Sequence, residues 1–129
     1  MIASLQAYLL VALGGGMGAM GRYGLGQFTL RTLGADFPYG TMAANILGGF
    51  LMGLLAGWLT TKSDGESLRL FLGVGLLGGF TTFSAFSLEA WQMIEQGRYN
   101  IFAIYAGGSV VLAILALAAG LFIARQVFA

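Results

Sequence analysis

The chain has 129 residues, of which 58% are hydrophobic and 9% charged, with a net charge of +1 and a mean hydropathy of +0.86. Soluble domains carry about 25% charged residues, so this composition predicts an all-α integral membrane protein whose surroundings are the lipid bilayer. The near-zero charge leaves no basic patch for a nucleic-acid partner. The absence of cysteine and histidine excludes disulfides, ordinary zinc or haem sites, thiol nucleophiles and histidine-dependent catalysis.

Four apolar runs are long enough to span a bilayer: about 5–29, 39–61, 68–96 and 101–124. No Lys or Arg precedes Arg22, and the first run extends too far for a signal peptide, so it is read as the first membrane helix. The connections are short, which makes neighbouring helices antiparallel. The expected architecture is one four-helix transmembrane domain over residues 1–129.

Helix 1 carries Gly14-x-x-x-Gly18, a spacing that lets helices approach closely in lipid. It also carries Arg22, two-thirds along, placed to snorkel toward the nearer face. Helix 2 carries Gly49-x-x-x-Gly53-x-x-x-Gly57 and a polar ridge of Thr41 and Asn45, one turn apart. A buried membrane Asn serves equally as interhelical glue or as an ion-facing group.

The third run is too long for one straight span. Residues 68–96 would extend roughly 44 Å as a helix, against a hydrocarbon core of about 30 Å. At its centre lies Gly78-Gly79-Phe80-Thr81-Thr82-Phe83-Ser84-Ala85-Phe86-Ser87. Glycine tolerates non-helical backbone, and hydroxyl side chains bond freed backbone groups. A break near residues 78–82 is therefore predicted, with carbonyls and amides suited to an ion. Unwound backbone survives at membrane depth only where protein or a water-filled cavity covers it. Glu89 follows about two turns later. Intramembrane charge points to function by default, but a water-contacting position near the interface serves equally well.

Helix 4 is apolar apart from Tyr105 and Ser109, one turn apart. With Asn45, Thr82 and Ser84 they can form a track of hydroxyl and amide donors. Phe83 and Phe86 share a face if helix resumes after the break. Aromatic ring edges are positive, so rings presented edge-on beside such donors suit a small anion, whereas break carbonyls suit a small cation. Glu89 has no partner base, so catalysis is not expected. Lys62, Arg69 and Arg125 lie on the side of the termini, against Arg31, Arg98 and the nearer Arg22. The positive-inside bias is thus close to nil, which fits either orientation by a partner or insertion both ways up.

The decapeptide, taken with Gly40-Thr41-x-x-x-Asn45 and Tyr105-x-x-x-Ser109, resembles the bacterial fluoride channels of the Fluc (CrcB) family over essentially the whole chain. The resemblance implies a fluoride-selective channel of the bacterial inner membrane, assembled as an antiparallel, dual-topology homodimer with two pores. It implies a structural sodium ion at the dimer centre, held by the backbone carbonyls of Gly78 and Thr81 from both chains. Asn45, Phe83 and Phe86 would line the pore, with Thr41, Thr82, Ser84, Tyr105 and Ser109 along its polar track and Arg22 at a vestibule. The family's further hydroxyl one turn beyond Ser109 is here Ala113, which shortens the track. Function would be passive export: HF enters, dissociates in the cytoplasm, and the membrane potential expels the anion. The alternative weighed is a small multidrug transporter, which needs a membrane carboxylate, typically in helix 1; this helix 1 has none. A structural subunit of a larger membrane complex is a third reading.

Overall fold

The computed structural model describes residues 3–128. Among them there are only helices, joined by short turns. Helix α1 is Ser4–Leu33 and α2 is Tyr39–Leu59. The third segment, here α3 (residues 66–80), begins with a turn at Glu66–Leu68. It continues as π-helix over Arg69–Leu77 and returns to α-helix at Gly78–Phe80. After a three-residue interruption α4 runs Ser84–Glu95, and α5 runs Tyr99–Val127. By length and apolarity α2, the Glu66–Glu95 segment and α5 are long enough to cross a membrane. At 30 residues α1 is also long enough, but its glycines, glutamines and arginines make it less apolar.

Two glycine-packed helix pairs make up the body. In the first, α1 lies on α3 backbone to backbone. A Cβ at Gly14 would stand 2.8 Å from the Leu76 nitrogen, and one at Gly18 2.8 Å from the Phe80 nitrogen. In return, a Cβ on Gly75 would sit 3.0 Å from the Gly14 Cα, and one on Gly79 would collide with the Gly15 carbonyl. In the second pair, α2 lies on α5. Gly49 faces the Ala113 carbonyl, Gly53 the Leu117 carbonyl and Gly57 the Ala124 methyl, while Gly120 answers against Phe50. Without a solvent-driven hydrophobic term in lipid, such contact is a principal source of association. Helix α4 closes on α5 through a cluster of Ala90, Met93 and Tyr105, with Phe37, Met42, Phe86, Ile101 and Phe102 around it.

The interruption lies three residues further on than the glycines suggest. Gly78 is helical, with φ −62° and ψ −37°, and the chain first leaves the helix at Thr81, with φ −85° and ψ 158°. The unwound residues are therefore 81–83, not 78–82. The reason is steric: Gly79 is spent on close approach to α1 rather than on backbone freedom. The π-helical stretch was also unexpected. It adds a residue per turn, and the Gly78 N–H reaches the carbonyl of Gly73, five residues back.

The first and third connections are shorter than predicted. Helix α4 ends at Gly97, whose φ of +73° suits glycine. The Arg98 N–H closes on the Met93 carbonyl at 2.9 Å and the Gly97 N–H on Ile94 at 3.0 Å, a Schellman cap. Tyr99 and Asn100 thereby join α5 instead of the loop. In the polar turn after α2, Arg69 and Glu66 form an exposed ion pair at 2.8 Å, a type worth little in stability, and Lys62 lies 4.7 Å above the Trp58 ring.

Candidate functional site

The break is held by a side chain from another helix. The Asn45 Oδ1 accepts the Thr82 N–H at 2.8 Å, and the Asn45 Nδ2 donates to the Thr82 carbonyl at 2.9 Å. One amide group thus replaces two backbone partners, satisfying polar groups that lipid would leave unpaired. One amide proton of Asn45 remains for another acceptor.

The same bonds leave carbonyls free. In a continuous helix the Thr82 N–H would go to the Gly78 carbonyl; here it goes to Asn45. The Ala85 N–H would go to the Thr81 carbonyl; instead the Thr82 hydroxyl accepts it at 3.2 Å. Gly78 is exposed in the single chain. The Thr81 hydroxyl is occupied, donating back to the Leu77 carbonyl at 3.0 Å. What the break offers at Gly78 and Thr81 is therefore backbone oxygen, a hard neutral ligand of the kind that takes small cations. Among the described residues there is no cluster of three acidic or other ligating side chains.

Beside the break is a cavity of about 410 Å³, walled by Asn45, Gly78, Thr81, Thr82, Phe83, Phe86, Ser109, Val110 and Ala113. No charged side chain lines it. Ser109 is part of this wall, and its hydroxyl is buried with no hydrogen-bond partner among the described residues. Phe83 and Phe86 stand 5.7 Å apart with their planes tilted 41°. Phe83 is 78% exposed, with the Phe86 ring as its aromatic neighbour within the chain. Ser84 lies at the rim, its hydroxyl 3.4 Å from that of Thr82. Ala113, where a further hydroxyl would extend the track, forms part of the apolar end of this wall.

Phe86 leads from this cavity toward a second. Its ring packs 5.2 Å from that of Tyr105, which in turn meets Phe37 edge-on at 5.4 Å and 85°. Tyr105 is fully buried, and its hydroxyl donates to the Glu89 Oε1 at 3.1 Å. The Thr41 hydroxyl donates to the Glu89 Oε2, also at 3.1 Å. Thr41 and Glu89 line a vestibule of about 380 Å³ that opens past Gln92, Gln96 and Arg98.

Glu89 is thus the residue whose role sequence reasoning left open. It lines the open vestibule, as a water-contacting position would, and it also accepts from α2 and α5, tying them to α4. The available signal was its spacing: Glu89 falls one turn after Phe86, on the same face of α4. Replacing Glu89 with alanine leaves the buried Tyr105 hydroxyl without its acceptor. The expected loss is about 1–3 kcal/mol of stability, read as a lowered thermal midpoint in detergent, with Glu89→Gln losing less because its amide oxygen still accepts.

Of the predicted residues, Asn45, Gly78, Thr81, Thr82, Phe83, Phe86 and Ser109 meet at one cavity. Thr41 and Tyr105 meet at Glu89 instead. Arg22 joins neither group; it is on α1, with its Nε buried and unpartnered among the described residues.

An interrupted membrane helix beside a neutral, donor-lined cavity defines a class: small helical membrane proteins that carry ions or small solutes through unwound backbone. Comparison with known sequences identifies the family. The family model described as CrcB-like protein, Camphor Resistance (CrcB), matches residues 9–121. A protein of Phenylobacterium zucineum named "Fluoride-specific ion channel FluC" is 60% identical over 97% of this chain and all of its own length. Proteins of the same name from Caulobacter vibrioides and Novosphingobium aromaticivorans are 52% and 51% identical, over 94% and 95% of this chain and 97% and 99% of their own lengths. The chain belongs to the CrcB family, and the multidrug-transporter alternative has nothing left to support it.

Proposed function

We propose that the protein is a fluoride-selective channel of a bacterial membrane that lets cytoplasmic fluoride leave passively. The observation that carries this reading is the cavity wall: amide, hydroxyl and phenyl groups, with no fixed charge. Fluoride is small and strongly hydrated, so a pore must replace its water with donors of comparable strength. The spare Asn45 amide proton and the Ser109 hydroxyl supply donors, and the positive ring edges of Phe83 and Phe86 supply the rest. A fixed cation in the wall would bind the anion too tightly to release it, and a fixed anion would repel it. Relatives 51–60% identical and named as fluoride-specific channels support the same conclusion. No step of this reading requires catalysis.

The finer architecture belongs to the proposal as well. The chain forms a single transmembrane domain, with α1 as a fourth span. Two copies pair antiparallel as a dual-topology homodimer, which the balanced distribution of Lys and Arg supports. The dimer holds one fluoride pathway beside each break. The exposed Phe83 and Gly78 are then covered by the partner, which narrows the open cavity to a pore. The freed carbonyls of Gly78 and Thr81 from both chains suit a structural sodium ion, which would neutralise exposed backbone oxygen and hold the subunits together. Asn45, Thr82, Phe83, Phe86, Ser84 and Ser109 form the narrow stretch. Thr41 and Tyr105, both bonded to Glu89, continue the polar track to the vestibule, and Arg22 attracts anions at an outer mouth.

Export needs no pump. HF crosses the bilayer uncharged and dissociates at neutral cytoplasmic pH, and the negative interior drives the trapped anion outward. The protein expressed in bacteria made fluoride-sensitive by loss of their own exporter is expected to restore growth in fluoride-containing medium. Growth no better than that of cells carrying an empty vector, with protein present in the membrane, would contradict the reading.

A further inference from the structure

We infer that Asn45 and Thr82 are positioning residues for the cation site, each releasing one of its carbonyls by capturing that carbonyl's helical donor. The inference rests on the proposal that a sodium ion sits at Gly78 and Thr81. Asn45 takes the Thr82 N–H at 2.8 Å and so withdraws it from the Gly78 carbonyl. Thr82 takes the Ala85 N–H at 3.2 Å and so withdraws it from the Thr81 carbonyl. Backbone donors in lipid do not stay unpaired, so without these acceptors each N–H returns to its helical carbonyl. That oxygen is then turned into the helix and lost to a cation.

The other groups nearby do not substitute. The Thr81 hydroxyl is committed to Leu77, and the Thr81 methyl is fixed where Gly48 leaves no room for a Cβ. The arrangement lets one pore-wall amide serve two ions: its oxygen shapes the cation site through Thr82, while its second N–H is left for another acceptor. It also separates the two roles experimentally, because an acceptor alone is enough for the cation site.

The test uses purified full-length protein in detergent, with thermal stability measured against sodium concentration at constant ionic strength, N-methylglucamine replacing sodium. Asn45→Leu and Thr82→Val remove the acceptors at similar volume. Asn45→Asp and Thr82→Ser keep them. The expected result is a half-saturating sodium concentration raised at least roughly tenfold in the first pair and within about threefold of the unmodified protein in the second. A merely structural role would lower the midpoint temperature in all sodium concentrations equally, without moving the sodium dependence. If the unmodified protein shows no sodium dependence, the sodium reading fails and this inference with it. If it does, and the Leu and Val variants keep the same dependence, the inference alone is overturned. Should Asn45→Leu not fold, Thr82→Val against Thr82→Ser decides.

Discussion

Fluoride flux through Phe83→Ile is expected to fall roughly thirtyfold while the protein stays folded. The two halves of this expectation have separate grounds. Phe83 is 78% exposed in the single chain and lies in the unwound stretch, so its side chain carries little of the chain's own packing. Isoleucine keeps apolar bulk at the same place. What it removes is the ring, and with it any positive edge available to the cavity that Phe83 shares with Asn45 and Ser109. The ring quadrupole that attracts a desolvated cation to its face by about 2 kcal/mol attracts an anion to its edge, and a loss of that order corresponds to roughly thirtyfold in rate. Fluoride efflux from proteoliposomes, normalised to protein that elutes as an intact particle, measures it. Undiminished flux would remove Phe83 from the pathway.

Asn45→Asp is expected to cost more, on the order of a thousandfold in flux. The oxygen that accepts the Thr82 N–H is retained, while the bond from Nδ2 to the Thr82 carbonyl is lost. The amide donor is lost, and a negative charge is placed on the cavity wall in its stead. At a separation of about 4 Å and an effective dielectric constant of about 20, two like charges repel by about 4 kcal/mol. Salt does little to screen such a buried pair. Full activity in this variant would discard the role of Asn45 as a donor to the anion. The sodium dependence of stability should persist in the same sample, since the acceptor is still present.

Much of the fold was legible because bilayer thickness restricts helix length. The third run exceeded one straight span, and two glycines and four hydroxyl residues at its centre marked a break. The glycine spacings of α1 and α2 marked close-contact faces but not their partners, which the structure shows to be α3 and α5, with Gly57 following Gly49 and Gly53 onto α5. The exact position of the break was not legible, because glycine has two uses. It permits unwinding and it permits close approach, and only the presence of Gly15 opposite Gly79 shows which applies. The π-helical turns of Arg69–Leu77 have no residue code. At the site, Asn45 was open between glue and ion-facing group, and its geometry serves both, with two bonds to Thr82 and a place on the cavity wall. Glu89 was underestimated because depth along the helix was weighed and its partners on α2 and α5 were not visible. Those partners, Thr41 and Tyr105, are 48 and 16 residues away.

The central claim is that the neutral cavity beside the interrupted helix conducts fluoride and rejects other halides. It is tested most directly by loading proteoliposomes with equal potassium fluoride and potassium chloride, adding valinomycin, and following both anions with selective electrodes. The account predicts rapid fluoride release, with chloride no faster than in protein-free vesicles. Chloride leaving with the fluoride, or neither anion leaving through intact protein, would contradict it.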